Sequence, residues 1–121
     1  MMTEKNLNEW IEALRSDEYE QACGQLKKGG GYCCLGLYQE INNLSYDPCA
    51  SMPDNRVTTS RLDNILAVLN DNSFEDLHAF SKDTYIKFSE ENKLNIDFTK
   101  PHSFSDIADF LETNKKFICK N

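Results

Sequence analysis

The chain has 121 residues, of which 40% are hydrophobic, and a formal net charge of -7 at pH 7. This length predicts a single globular domain, residues 1–121, whose core needs no disulfide or metal to fold. The acidic balance argues against direct nucleic-acid binding, which requires a basic surface, and is compatible with a basic protein partner.

The sequence shows no sign of a membrane partner or of export. No apolar run approaches the roughly 20 residues of a membrane span, and the start, MMTEKNLNEW, has neither the basic nor the apolar region of a signal peptide. We therefore expect a cytoplasmic protein whose five cysteines are reduced thiols. The cysteines lack the C-x(2–4)-C spacing of structural zinc sites, so we expect neither a metal nor a cofactor.

The first half of the chain predicts two helices joined by an extended segment. Leu7, Trp10, Ile11 and Leu14 recur at helical spacing, and Asn6 with Glu9 resembles a capping box at the helix start. Residues 18–28 have no helical stripe and are predicted as a short strand or extended segment. The second helical stripe contains Cys34, Leu37, Tyr38 and Ile41, with Leu44 near its end.

Gly36 lies inside the second predicted helix, where glycine costs up to about 1 kcal/mol relative to alanine. A glycine retained at such a position indicates that a neighbouring backbone packs closely against the helix. Residues 45–57 contain two prolines and several turn-forming residues, and they predict a loop.

The second half predicts three more helices. One spans about 60–70, with Ser60 and Asp63 as its cap. The segments NSFEDLHAF (72–80) and HSFSDIADF (102–110) share the pattern S-F-x-D-[LI]-x-x-F, which predicts two helix starts with serine as the N-cap. One capping pattern used twice is favoured over a duplication. The fourth helix is predicted to be followed by an extended stretch, LNIDF (94–98), and the last helix spans about 104–116.

The predicted fold is therefore mainly α, or α+β with a short strand or hairpin near residues 18–32. We expect a compact single-domain bundle of about five helices.

The stretch LKKGGGYCC (26–34) offers the first candidate site. Glycines that lead into a helix N-terminus expose backbone amides, which together with lysines attract an anion such as a phosphate. A tight turn into a buried helix explains the same residues and is favoured, because glycine clusters mark turns. The candidate ligand-binding residues are Arg15, Lys27, Lys28, Gly29, Gly30, Gly31, Tyr32 and Cys33.

A cysteine-dependent enzyme is the alternative. It would place a thiolate at Cys33, near the helix N-terminus, with His78 or His102 as the base. Neither histidine has a local signature that links it to Cys33, and free cysteine is usually buried as a small hydrophobic residue. We therefore assign no catalytic residues and expect a protein without enzymatic activity.

The segments WIEALRSDEYEQACGQL (10–26) and GYCCLGLYQEI (31–41) resemble a family of small proteins encoded by bacteriophages and prophages. The resemblance extends to LND (69–71) and SFSDIADFLE (103–112), although Asp17 replaces the usual glycine and Leu37 replaces a common valine. The resemblance implies a phage accessory protein in the host cytoplasm, and it implies no particular chemistry.

Together these features predict a protein that binds and blocks or sequesters a host target, in host takeover or counter-defence. Two targets are kept open. One is a host protein with a basic surface, which the net charge of -7 would attract. The other is a small phosphorylated ligand such as a nucleotide signal, for which a homo-oligomer would provide pockets between subunits.

Overall fold

The computed structural model describes residues 2–72 and 82–119. In chain order, this part of the protein forms α1 (Glu4–Arg15), β1 (Lys27–Lys28), β2 (Gly31–Tyr32), α2 (Cys34–Ile41), α3 (Ser60–Asp71), α4 (Lys82–Glu91), α5 (Phe104–Thr113) and α6 (Lys115–Ile118). The mainly α fold with a short hairpin is confirmed. The described residues contain six helices rather than about five, because the last predicted helix is divided in two.

Helix α1 begins earlier than its predicted cap. The N-cap is Thr3, whose backbone is extended and whose hydroxyl accepts a hydrogen bond from the Asn6 N–H at 3.1 Å. The predicted start at Asn6 and Glu9 was therefore wrong, since a hydroxyl three residues upstream already satisfies a free amide of the first turn. The predicted apolar stripe is confirmed: its buried residues are Leu7, Trp10, Ile11 and Leu14.

The glycine run is the turn of a two-stranded antiparallel hairpin. Lys27 pairs with Tyr32 and Lys28 pairs with Gly31. Gly29 and Gly30 have φ angles of +57° and +88°, which glycine adopts without the steric cost that a side chain would impose. The predicted turn is confirmed, although only two residues of the predicted extended segment 18–28 belong to a strand.

Helix α2 follows the hairpin and packs directly on the chain that enters it. A Cβ atom added at Gly36 would lie 1.9 Å from the carbonyl oxygen of Leu26, and this oxygen also accepts a hydrogen bond from the Cys33 N–H at 3.1 Å. The predicted close backbone at Gly36 is confirmed. Leu44 does not extend the apolar stripe as predicted, because it lies beyond the helix and is 47% exposed.

Helix α3 is capped by Thr59, not by the predicted pair Ser60 and Asp63. The Thr59 hydroxyl accepts a hydrogen bond from the Leu62 N–H at 3.3 Å. Asp63 is buried instead, and its carboxylate accepts hydrogen bonds from the Val57 and Thr58 N–H groups, each at 2.8 Å. Asp63 therefore fastens the end of the loop before α3, although burial raises its pKa.

The first copy of the repeated helix-start pattern and His78 lie outside the described residues, apart from Asn72. The second copy is confirmed: Ser103 caps α5, and Asp106 completes the capping box. The predicted last helix, 104–116, was wrong at its end, because Asn114 interrupts it with φ -108° and donates its side-chain N–H to the Phe110 carbonyl. The predicted extended stretch 94–98 forms no strand and is irregular.

One apolar core joins the described elements. Helix α1 packs against α2 and α5, and α3 packs against the same two helices. Trp10 lies at the centre with no exposed surface, and its indole N–H donates to the Cys34 carbonyl at 2.9 Å. Among the described residues, no helix has the length and apolar character required to cross a membrane.

The contact at Gly36 yields a stability prediction. Replacement of Gly36 by alanine should lower the free energy of unfolding by about 3 kcal/mol, because the new methyl group overlaps the Leu26 carbonyl and backbone must move. Gly31→Ala is the matched comparison, since its Cβ would meet Glu20 and Ala22 atoms at 3.1 and 3.2 Å. Urea unfolding should show a clearly smaller loss for Gly31→Ala, and equal losses would contradict the steric explanation.

Candidate functional site

The structure separates the predicted site residues into two groups. Lys27 to Cys33 lie together in the hairpin and at the start of α2. The Lys27 ammonium lies 5.3 Å from the centre of the Tyr32 ring, and Lys28 is exposed beside the turn. Arg15 contacts α5 instead: its guanidinium lies 2.8 Å from an Asp109 oxygen and 3.8 Å from a Glu112 oxygen.

Two backbone amides at the start of α2, just after the predicted anion site, are already hydrogen-bonded within the protein. The Gly36 N–H donates to the Cys33 sulfur at 3.3 Å, and the Cys34 N–H donates to the Asn70 side-chain oxygen at 3.1 Å. An anion would have to displace these groups, because each amide has a single proton to donate. The phosphate site stays a prediction that depends on the hairpin turn and its two lysines.

Cys33 is the N-cap residue of α2 and is only 4% exposed. Burial, the largest influence on this group, raises the pKa of the Cys33 thiol to about 11, and burial raises the pKa of Cys34 well above its ordinary value. The buried interpretation of both cysteines is confirmed. Since the thiolate is the nucleophilic form, this geometry opposes catalysis by Cys33 at neutral pH.

One buried polar side chain with four hydrogen bonds is a residue that the sequence patterns did not single out. Asn70 is 3% exposed, and its Oδ1 accepts hydrogen bonds from the Gln21 side chain at 3.0 Å and from the Cys34 N–H. Its Nδ2 donates to the Ala22 carbonyl and to an Asp71 carboxylate oxygen, both at 2.8 Å. Asn70 therefore joins α3 to α2 and to the segment before the hairpin. The L-N-D motif (69–71) contains this residue but does not indicate its role.

A shallow hollow of about 260 Å³, which we call the α1 groove, lies beside the first helix. Its lining residues are Glu9, Glu12, Ala13, Ser16, Glu18, Tyr19 and Ile41. The three glutamates are exposed, whereas Ala13, Tyr19 and Ile41 are partly buried against the core. The groove thus combines an apolar floor with an acidic rim, and no basic residue lines it. Its members come from α1, the following loop and α2, so local sequence patterns missed it.

A second hollow of about 300 Å³, which we call the His102 cleft, lies between the irregular segment 95–102 and α5. Its polar lining includes Asp97, Lys100, His102, Asp106 and Asp109. Throughout residues 2–72 and 82–119, no three His, Cys, Asp or Glu side chains are grouped so that they could hold a metal ion.

A family model matches residues 2–115 of the chain. The chain belongs to the DUF8296 family. The family is described as a domain of unknown function, so membership names no activity. Neither the curated proteins nor the solved structures include a match to the chain.

The burial of the thiols in this DUF8296 member predicts their order of alkylation. In the native protein at neutral pH, iodoacetamide should modify the exposed Cys23 and Cys49 first, while Cys33 and Cys34 should react only after denaturation. Peptide mass mapping at successive times measures each rate. If native Cys33 were alkylated as fast as Cys49, the result would contradict the burial of the Cys33 thiol and support the enzyme alternative.

The Asn70 network yields a second stability prediction. Asn70→Ala should lower the free energy of unfolding by about 3 kcal/mol, because it leaves the buried Cys34 N–H without an acceptor and the Ala22 carbonyl without a donor. Asn42→Ala is the control, since that side chain donates to the Tyr38 carbonyl at the end of α2. The control should lose about 1 kcal/mol or less in urea unfolding, and similar losses would argue against a central role for Asn70.

Proposed function

We propose that this protein is a non-enzymatic accessory protein that binds and blocks a target protein with a basic surface. The α1 groove is the proposed contact. The observation that carries the proposal is the composition of this groove, in which Glu9, Glu12 and Glu18 surround an apolar floor and no lining residue neutralises them.

A lysine or arginine side chain of the partner fits this composition. Its aliphatic stem would lie on Ala13 and Ile41, while its charged end would reach the carboxylates. Charge-assisted hydrogen bonds to carboxylates are stronger than neutral ones, and the Tyr19 ring adds a surface on which a cation can stack. A hollow of about 260 Å³ has room for one such side chain.

The charge of the whole molecule supports the same partner. A net charge of -7 draws basic proteins toward the surface and raises their rate of association, an effect that weakens as salt screens the field. The groove then selects among them, because it offers carboxylates and apolar surface at one place.

Three further observations bear on the proposal. The resemblance of residues 10–41 to phage-encoded proteins supports a host protein as the target, and hence a place in the host cytoplasm during takeover or counter-defence. The internal pairing of the Cys34 and Gly36 amides favours a protein target over a phosphorylated ligand at the start of α2. The buried Cys33 thiol supports a role without catalysis.

Carbodiimide cross-linking tests the proposal, because this reagent activates a carboxylate, and a neighbouring lysine amine then forms an amide bond with it as the urea leaves. In a bacterial host lysate, we expect a partner lysine to be joined to Glu9, Glu12 or Glu18, as located by peptide mass spectrometry. The variant Glu9→Gln/Glu12→Gln/Glu18→Gln should no longer co-purify with the partner when no cross-linker is used, since glutamine cannot itself be cross-linked by this reagent.

A control variant distinguishes the effect of the groove from the effect of the net charge. Asp54→Asn/Asp83→Asn/Glu90→Gln also removes three negative charges from exposed positions, but none of these residues lines the groove. This control should retain the partner, with association only modestly slower. If both triple variants lose the partner equally, or if the cross-links lie elsewhere on the surface, the α1 groove is not the contact.

A further inference from the structure

The hairpin and the α1 groove are neighbours on the surface of the molecule. The segment that leaves the groove pairs with β2, because the Glu20 carbonyl accepts a hydrogen bond from the Tyr32 N–H at 2.8 Å. The Tyr19 ring, which lines the groove, meets the Tyr32 ring edge to face, with the ring centres 5.9 Å apart. The Lys27 ammonium lies 5.3 Å from the centre of the same Tyr32 ring. A basic hairpin therefore stands directly beside an acidic groove.

The charges of the hairpin and of the groove are not paired within the described part of the chain. Neither Lys27 nor Lys28 forms an ion pair there, and the same holds for Glu9, Glu12 and Glu18. Lys28 is exposed beside the glycine turn, and the turn has no side chain that could obstruct the approach of this lysine to another molecule. These ammonium and carboxylate groups are therefore available to a second molecule.

A surface with a basic part beside an acidic part is complementary to itself. When two copies of such a surface meet about a two-fold axis that passes between the two parts, the basic part of each copy faces the acidic part of the other. Every favourable contact is then made twice, and like charges are kept apart. Closed two-fold dimers are also the commonest form of soluble homo-oligomer.

We propose that the protein forms a two-fold symmetric dimer in which the hairpin of each copy binds the α1 groove of the other. The aliphatic stem of Lys28 lies on the apolar floor that Ala13 and Ile41 provide, and its ammonium contacts Glu9 and Glu12. The hollow of about 260 Å³ accommodates this one side chain, so the second lysine of the hairpin lies at the rim. Each groove is thus completed by a residue of the other copy.

The chemistry of this contact sets its strength. Exposed ion pairs are individually weak and are screened by salt. Repetition by the two-fold axis doubles each of them, and the lysine stems add apolar contact. We therefore expect a dimer that forms at high protein concentration and low salt and that dissociates as salt rises.

The dimer bears on the function proposed above, and in this one respect the inference rests on that proposal. Lys28 of a second copy occupies the place in the α1 groove where a lysine or arginine of the target is expected. The dimer and the target complex therefore exclude each other. Dimerisation keeps the groove covered until a target displaces the second copy.

Sedimentation velocity with charge-reversal variants tests the dimer. The hairpin variant Lys27→Glu/Lys28→Glu and the groove variant Glu9→Lys/Glu12→Lys should each be monomeric, because like charges face each other at both contacts. An equimolar mixture of the two variants should form a heterodimer. In the mixture, reversed hairpin and reversed groove meet at one contact, and the original charges meet at the other. Misfolding cannot produce this recovery.

Three outcomes would overturn the proposed dimer. The first is an unaltered protein that stays monomeric at low salt up to millimolar concentration. The second is a mixture of the two variants that stays monomeric. The third is a series of growing oligomers in place of a dimer, which would indicate a head-to-tail contact without a two-fold axis.

The matched control is Lys93→Glu/Lys100→Glu. Both lysines are exposed, lie outside the hairpin and the groove, and form no ion pair within the described residues. Their reversal changes the net charge by the same amount as the hairpin variant does. The control should remain a dimer at low salt, and a loss equal to that of the hairpin variant would show an effect of net charge alone.

Cross-linking by carbodiimide locates the contact. In a mixture of unlabelled and ¹⁵N-labelled protein, Lys28 of one isotopic form should be joined to Glu9, Glu12 or Glu18 of the other. The isotope difference separates links between copies from links within one copy. Links between copies at other residues would place the dimer contact elsewhere and overturn the assignment.

The hairpin variant also keeps this inference distinguishable from the proposed function. Its α1 groove is unaltered, so without cross-linker it should co-purify with at least as much target as the unaltered protein does. A monomeric hairpin variant that captures no target would contradict the proposed target contact while the dimer stands. Capture of target by a protein that never dimerises would support the proposed function and overturn the dimer.

Discussion

The buried amide of Asn70 is the interaction on which the arrangement of the rest depends. Its two acceptor and two donor contacts go to Gln21, Cys34, Ala22 and Asp71, so α3, α2 and the segment before the hairpin meet at one side chain. Gln21 continues the connection, since its amide also donates to the His102 carbonyl. Because this buried asparagine makes all of these hydrogen bonds, no other arrangement of its side chain has equal energy. The three segments are therefore held in fixed positions relative to one another.

A steric constraint complements this polar one. The Leu26 carbonyl lies against Gly36, and the Leu26 and Lys27 N–H groups donate to the carbonyls of Ala50 and Pro48 at 2.8 and 3.0 Å. The chain that enters the hairpin is thus held between α2 and the following loop. The space at the N-terminus of α2 is filled by backbone and by Asn70, which explains why Cys33 is buried. The sequence had suggested an open anion site there, because the helix begins after a glycine run.

Features that depend on neighbours in the sequence could be predicted, and features that depend on distant segments could not. The apolar stripe of α1 and the close backbone at Gly36 follow from local patterns, because burial recurs with the helical period and a helical glycine is costly unless space demands it. The caps Thr3 and Thr59 lie three residues and one residue before the predicted positions. Several neighbouring polar side chains can cap a helix, and the backbone conformation, which local patterns do not show, decides which of them does. The α1 groove needs Ile41 beside Glu12, a juxtaposition that only the packing of α2 on α1 produces.

The observed position of Arg15 explains part of the charge distribution on the molecular surface. It resembled an anion contact in the sequence, yet its guanidinium pairs with Asp109 and Glu112 on α5. Such an exposed pair adds little stability, about 1 kcal/mol at most. Its larger effect is on the α1 groove: Arg15, at the end of α1, is engaged by α5, and Glu9, Glu12 and Glu18 have no counter-charge among the groove's lining residues. The proposed preference of the α1 groove for a cation therefore follows in part from a single arginine that joins the first helix to the fifth.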